Sequence, residues 1–220
     1  ARVIEDIVQQ KDPFDERVIC YAQPIYDTHT RSFRQAEVLM RLKVGEVIVG
    51  PQRFIPLAGN NGSIVDLTCI LLNKVCRAMS TLLAKSDFDG ISINLSPAML
   101  GSGEIAQNTQ QIFKTNRTKL KKLCVELTEQ AITGTKEEQD ALRNRMNGMN
   151  QAGIRLYLDD FGTGYSSIAR ITSYPFSVIK IDKAVLDIAV ANPCMQELIK
   201  KIISILKKYG YEVLMEGVEN

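Results

Sequence analysis

The stretch Leu156-Tyr-Leu-Asp159-Asp160-Phe-Gly162-Thr-Gly164-Tyr-Ser-Ser167 decides how the rest of the chain reads. Ile154 to Leu158 is an apolar run of the length of a buried strand. It ends in two adjacent carboxylates, a Gly162-Thr163-Gly164 turn follows, and Ser166 and Ser167 are placed to cap a helix. Two acids at the mouth of a buried strand repel each other and take up protons unless a cation neutralises them. Hard oxygen donors suit Mg²⁺ or Mn²⁺, as one ion or a pair. The bland reading is an Asp-Asp turn that only caps the next helix, since aspartate is common at helix starts.

Outward from this stretch, strands and helices alternate. On its N-terminal side, Lys122 to Glu126 reads as a strand. Thr135 and Glu138 form a capping box for a helix running to about Gln151, with Gly153 beyond its end. Further back lie a polar helix around Glu104 to Phe113 and a short strand, Ile91 to Asn94. Ile64, Leu67, Leu71, Val75, Met79 and Leu82 share one face of a longer helix. Arg17 to Pro24 and Ser32 to Leu42 flank the polar turn Asp27 to Thr30, so they are expected to pair antiparallel. Residues 1–16 read as a helix and linker ended by Pro13, and 17–220 as one domain. On the C-terminal side come a short helix and the strand Ser177 to Ile181. A helix follows, capped by Asn192 with Pro193 in its first turn, and ends near Gly210. Tyr211 to Glu216 is the last strand. About seven strands alternating with helices predict a parallel α/β sheet. A (β/α)₈ barrel has eight strands and carries its active-site groups at their C-terminal ends. Glu37, Asn94, Glu126, Asp159, Lys180 and Glu216 each lie within or at the end of an expected strand, which makes one shared mouth the economical reading.

Composition narrows the chemistry. A net charge of +2 gives no global case for nucleic acid or an anionic membrane. The basic cluster Lys114 to Lys122 has no interleaved aromatics and reads as a solvated helix end and loop. The five cysteines, Cys20, Cys69, Cys76, Cys124 and Cys194, are scattered and form no CxxC pair, so neither a zinc site nor a disulfide framework is expected. That pattern fits a reducing, cytoplasmic setting. No signal peptide or membrane-spanning run is visible, although the chain could be the cytoplasmic part of a larger, membrane-anchored protein. The single histidine, His29, falls in a polar turn, which argues against histidine-based catalysis.

Eight segments resemble, in order and at plausible spacing, the EAL-domain family of cyclic di-GMP-specific phosphodiesterases. They are Gln23-Pro-Ile25, Glu37-Val-Leu39-Met-Arg41, Phe54-Ile-Pro-Leu-Ala58, Asn94-Leu-Ser96, Glu126-Leu-Thr-Glu129, Asp159-Asp-Phe-Gly-Thr-Gly-Tyr-Ser-Ser167, Lys180-Ile-Asp182 and Glu216-Gly-Val-Glu219. A lone ExL carries no weight; the last three together are specific. The resemblance implies a TIM-like (β/α)₈ barrel with an antiparallel first strand. It also implies a C-terminal strand and helix that lie beyond Asn220. It further implies hydrolysis of cyclic di-GMP to 5′-pGpG with two Mg²⁺ or Mn²⁺ ions. Carried over residue by residue, Glu37, Asn94, Glu126 and Asp159 would hold one metal, and Asp159, Asp160 and Glu216 would hold or surround the second. Lys180 would orient the attacking water or offset phosphate charge, Glu216 would take a proton, and Glu37 belongs with both in the catalytic set. Arg41 would grip a phosphate oxygen, Gln23 and Leu39 would line the nucleotide site, and Glu129 would anchor the loop after Asp160.

The resemblance also implies a homodimer near that loop, where Tyr165, Ile168, Ile171 and Tyr174 supply apolar surface. The bland alternative is that these side chains pack on their own domain. Fusion to sensor or cyclase domains is expected, and a nucleic acid polymer is not expected as a partner. Two departures stand out: Val38 replaces the family's central alanine, and Gly59 stands where a glutamate is usual. The runner-up function is a domain that binds cyclic di-GMP without cleaving it. The complete set of acids, with Lys180, favours the enzyme. A purely structural domain would not need so many strand-end acids.

Overall fold

The computed structural model describes residues 1–82, 88–100, 111–112, 122–163 and 168–218. Most of the expected polar helix and basic cluster, Gly164 to Ser167 and Glu219 lie outside the described residues. The chain forms two compact units, Ala1–Leu123 and Cys124–Asn220.

In the first unit, helix α1 (Arg2–Gln10) precedes strands β1 (Val18–Asp27) and β2 (Ser32–Val44). These pair antiparallel from Val18 opposite Leu42 to Asp27 opposite Ser32, as the hairpin pattern predicts. The turn is an aspartate turn: Asp27 Oδ1 accepts from the backbone N–H of His29 at 2.7 Å and of Thr30 at 3.3 Å. A strand not expected from the sequence, β3 (Val47–Val49), folds back on β2. Three residues are too few for alternation to register in a pattern search. Helices α2 (Pro51–Asn60) and α3 (Ile64–Leu82) follow, then β4 (Gly90–Asn94), parallel to β2, and α4 (Pro97–Leu100).

Side chains alternate across β1 and β2, so each strand has two faces. One face packs under helices: Val18 and Leu42 are buried with Ile4 and Ile7 of α1, Phe54 and Ala58 of α2, and Leu67 and Ile70 of α3. The other face carries Tyr21 opposite Leu39, Gln23 opposite Glu37, and Arg41 opposite Ile19.

In the second unit, β5 (Leu123–Thr128, all but its first residue in this unit), β6 (Arg155–Phe161), β7 (Val178–Ile181) and β8 (Glu212–Met215) are parallel neighbours in chain order. Between them lie a 3₁₀ turn (Glu129–Ile132), α5 (Lys136–Gln151), α6 (Ile168–Ile171), α7 (Lys183–Ala191) and α8 (Pro193–Lys208). The capping box at α5 is complete: Thr135 Oγ1 accepts from Glu138 N–H, and Glu138 Oε2 accepts from Thr135 N–H. Asn192 caps α8 as expected. Helix α7 was not expected, because its cap, Asp182, reads as part of the Lys180-Ile-Asp182 motif. Among the described residues no helix is long and apolar enough to cross a membrane.

Candidate active site

The second unit gathers its acids around one lysine. Alternation puts Glu126, Asp159 and Lys180 on one face of β5, β6 and β7, while Leu127, Leu158 and Ile179 are buried on the other. Lys180 Nζ lies 2.7 Å from Glu126 Oε2, 2.7 Å from Glu216 Oε1 and 3.0 Å from Asp159 Oδ1. Lys180 is 1% exposed and Glu126 is fully buried. An ammonium this deep is tolerable only because carboxylates surround it, and the converse holds for the carboxylates. One positive charge facing three acids, with Asp160 beside them, still leaves the cluster negative.

Asp160 reaches that cluster through a backbone irregularity. In a regular strand, adjacent residues point to opposite faces. Here the β6–β7 register slips between Leu158 and Phe161, and Asp160 adopts φ 57°. Aspartate enters this left-handed region more readily than most residues. As a result, carboxylate oxygens of Asp159, Asp160 and Glu216 all lie within 4.8 Å of one another. The Asp160 carboxyl titrates above its ordinary range, first because burial disfavours its charged form, then because Asp159 and Asp182 are near; Lys180 offsets part of this. Mutual repulsion, the cause expected from the sequence, is therefore secondary to burial at this residue.

The segment after Asp160 is pinned closely. Gly162, at φ 102°, has no room for a Cβ, which would fall 2.6 Å from Val185 Cγ2 of α7. Its N–H donates to Glu129 Oε1 at 3.4 Å. Gly217, next to Glu216, lies equally tight against Lys183 of the same helix. The first turn of α7 thus abuts both acid-bearing segments. Asp182 caps that turn by accepting from Ala184 N–H at 2.7 Å. Its part in the site was missed from the sequence, although the motif containing it was noted.

The donor set fits a hard divalent cation. All three clustered groups are carboxylates, and among the described residues Asp159 Oδ1 is buried without a hydrogen bond although Lys180 is close. In the first unit, Asn94 Nδ2 donates to Glu37 Oε1 at 3.1 Å. Gln23 stands directly opposite Glu37. Arg41 Nη1 donates to the Met40 carbonyl at 2.9 Å, and its guanidinium carbon sits 5.6 Å from the centre of the Tyr21 ring. Sequence reading passed over Tyr21; strand alternation from Gln23 was the signal that places it on this face. Of the apolar side chains expected to offer an association surface, Ile171 and Tyr174 are buried. The side chains of Tyr165 and Ile168 lie outside the described residues.

The family model "EAL domain" matches residues 9–220. Among curated relatives, the chain is 30% identical over 208 residues to the cyclic di-GMP phosphodiesterase NbdA of Pseudomonas aeruginosa, covering 93% of this chain and 26% of that protein. It is 30% identical over 203 residues to the cyclic di-GMP phosphodiesterase PdeL of Escherichia coli, covering 90% and 55%. The chain thus spans about a quarter to about half the length of these relatives. Among solved structures, the PaMucR phosphodiesterase in complex with c-di-GMP superposes with a TM-score of 0.84 at 22% identity, over all of this chain and 88% of that one. The Bacillus subtilis YkuI protein, with an EAL domain and in complex with c-di-GMP and calcium, gives 0.77 at 22% identity, over 99% and 52%. These likenesses establish the fold as the TIM-like α/β architecture of EAL-domain structures, with the antiparallel first strand expected from the sequence.

Proposed function

Because the chain belongs to the EAL-domain family, we propose that it hydrolyses cyclic di-GMP to 5′-pGpG with bound Mg²⁺ or Mn²⁺, two ions in the full site. The observation that carries this reading is the convergence of Asp159, Asp160 and Glu216 within 4.8 Å, braced by Lys180. Bound divalent cations supply Lewis acidity, lowering the pKa of water and stabilising charge that develops on the phosphoryl oxygens.

The chain's own groups do the rest. Glu126, Asp159, Asp160 and Glu216 would hold the cations, and Lys180 keeps three of these carboxylates in place through its ion pairs. Lys180 also limits the negative charge that an anionic phosphodiester meets. Glu216 is the most exposed of the three acids on Lys180, with a side chain 28% exposed against 0 and 11%, so solvent reaches it. It accepts the proton of the attacking water. Glu37 and Asn94, tied to each other in the first unit, would be the further oxygen ligands that the family resemblance implies, with Glu37 in the catalytic set. Arg41 grips a phosphate oxygen, and Gln23 and Leu39 line the nucleotide. Glu129 steadies the turn after Asp160 through Gly162 N–H.

Incubation of the full chain with cyclic di-GMP, in Mg²⁺, Mn²⁺ or chelator, followed by chromatography, tests this reading. Metal-dependent appearance of 5′-pGpG is expected. Tight binding of intact cyclic di-GMP with every metal tried would replace the hydrolase with a receptor.

A further inference from the structure

Arg41 is held by a ring rather than by an acid. Arg17 pairs with Asp15, Arg34 with Asp89, and Arg155 with Glu212. Among the described residues no carboxylate pairs with Arg41. Its contacts are the Met40 carbonyl and the face of Tyr21. Tyr21 lies within a ten-residue strand, opposite Leu39 and diagonal to Arg41, yet it is 45% exposed. Its ring shares a face with Gln23 and Glu37.

We propose that Tyr21 is a positioning residue for anion recognition: its ring fixes the Arg41 guanidinium in the orientation that meets a substrate phosphate. This rests on the reading above, in which Arg41 contacts that phosphate. An unrestrained arginine loses rotamer freedom when it grips a ligand, which weakens binding. A carboxylate would fix it in advance but would neutralise the charge the phosphate needs. An aromatic face attracts the cation through its quadrupole and leaves it cationic. The Met40 carbonyl takes one N–H, so Nε and Nη2 keep donors for an oxyanion. An exposed ring beside an arginine that no carboxylate among the described residues pairs with is the arrangement such a role requires.

The test compares wild type, Tyr21→Phe, Tyr21→Leu, Arg41→Ala and Tyr21→Leu/Arg41→Ala for cyclic di-GMP binding by calorimetry and for turnover. Tyr21→Leu is expected to raise Kd and KM by roughly three- to tenfold, with a smaller change in kcat. Tyr21→Phe, which keeps the ring, restores wild-type values. In the Arg41→Ala background Tyr21→Leu adds no further loss, because the group it positions is gone. A readout independent of ligand is the Arg41 side-chain N–H proton resonance. It is shifted upfield by the ring in wild type and Tyr21→Phe, and moves to its ordinary position in Tyr21→Leu. Unchanged binding in Tyr21→Leu, or an equal loss with and without Arg41, overturns this inference alone. A wild-type chain that neither binds nor cleaves cyclic di-GMP overturns the underlying reading and this inference with it.

Discussion

Asp160 combines a carboxylate beside Asp159 with a left-handed backbone at φ 57°, and substitutions separate the two. Asparagine tolerates that backbone and removes the charge. If the carboxylate serves the reaction, Asp160→Asn lowers turnover by roughly a thousandfold, about 4 kcal/mol of transition-state stabilisation. In chelator the same variant melts higher than wild type, because it relieves a partly buried charge with acidic neighbours. Asp160→Ala loses turnover equally but melts below Asp160→Asn, since alanine pays about 1–2 kcal/mol for the left-handed backbone. Thermal melts of the three chains check the order, and an alanine variant at or above the asparagine variant would contradict it. Lys180→Met is the complementary test. It leaves three carboxylates around the missing charge, and removing one partner of a buried ion pair costs about 3–5 kcal/mol. Denaturant titration in chelator should show that loss, and added Mg²⁺ should restore part of it by supplying positive charge. Equal stability of variant and wild type would mean that Lys180 does not brace the acids.

At the scale of elements, a pH-sensitive tie joins α1 to β1. Asp15 is buried just before β1 and accepts from Arg17 Nη2 at 2.6 Å, while the same guanidinium bonds to Asp6 on α1. The hydrogen bond from Arg17 holds the Asp15 carboxyl below its ordinary value of 3.8. A depressed folded-state pKa adds stability that is fully present above the ordinary value and lost as pH falls through the folded value. Asp15→Asn should therefore destabilise the chain at neutral pH, by about 1.5–3 kcal/mol for a charge-assisted hydrogen bond. The difference between variant and wild type should shrink below about pH 4. Denaturant midpoints across that range check it, and a difference independent of pH would rule out the ionised pair. Elements with complete local signals were legible in the sequence: the Thr135–Glu138 box starts α5, and Asn192-Pro193 starts α8. Strand β3 was hidden by its length, and α7 by a cap that doubles as part of a site motif.

Across the whole molecule, strand–helix alternation and the antiparallel first pair could be read from periodicity, and the family from the order of its motifs. What brings the acids together could not. Lys180 meets Glu126 across 54 residues, and no local pattern encodes such a pair. Asp160 turns into the cluster through a register slip between β6 and β7 and a left-handed backbone angle. The burial of Ile171 and Tyr174 likewise depends on what surrounds them, and apolar content alone does not distinguish packing on their own domain from association. The claim that most needs testing is that these strand-end carboxylates serve metal-dependent cleavage of a cyclic dinucleotide. The most direct measurement is single-turnover conversion of cyclic di-GMP by the full chain, with Mg²⁺ or Mn²⁺ and with chelator. Formation of 5′-pGpG only with metal, and its loss in Asp160→Asn with binding retained in part, is the predicted result. Cyclic di-GMP bound but recovered intact under every metal condition would contradict it.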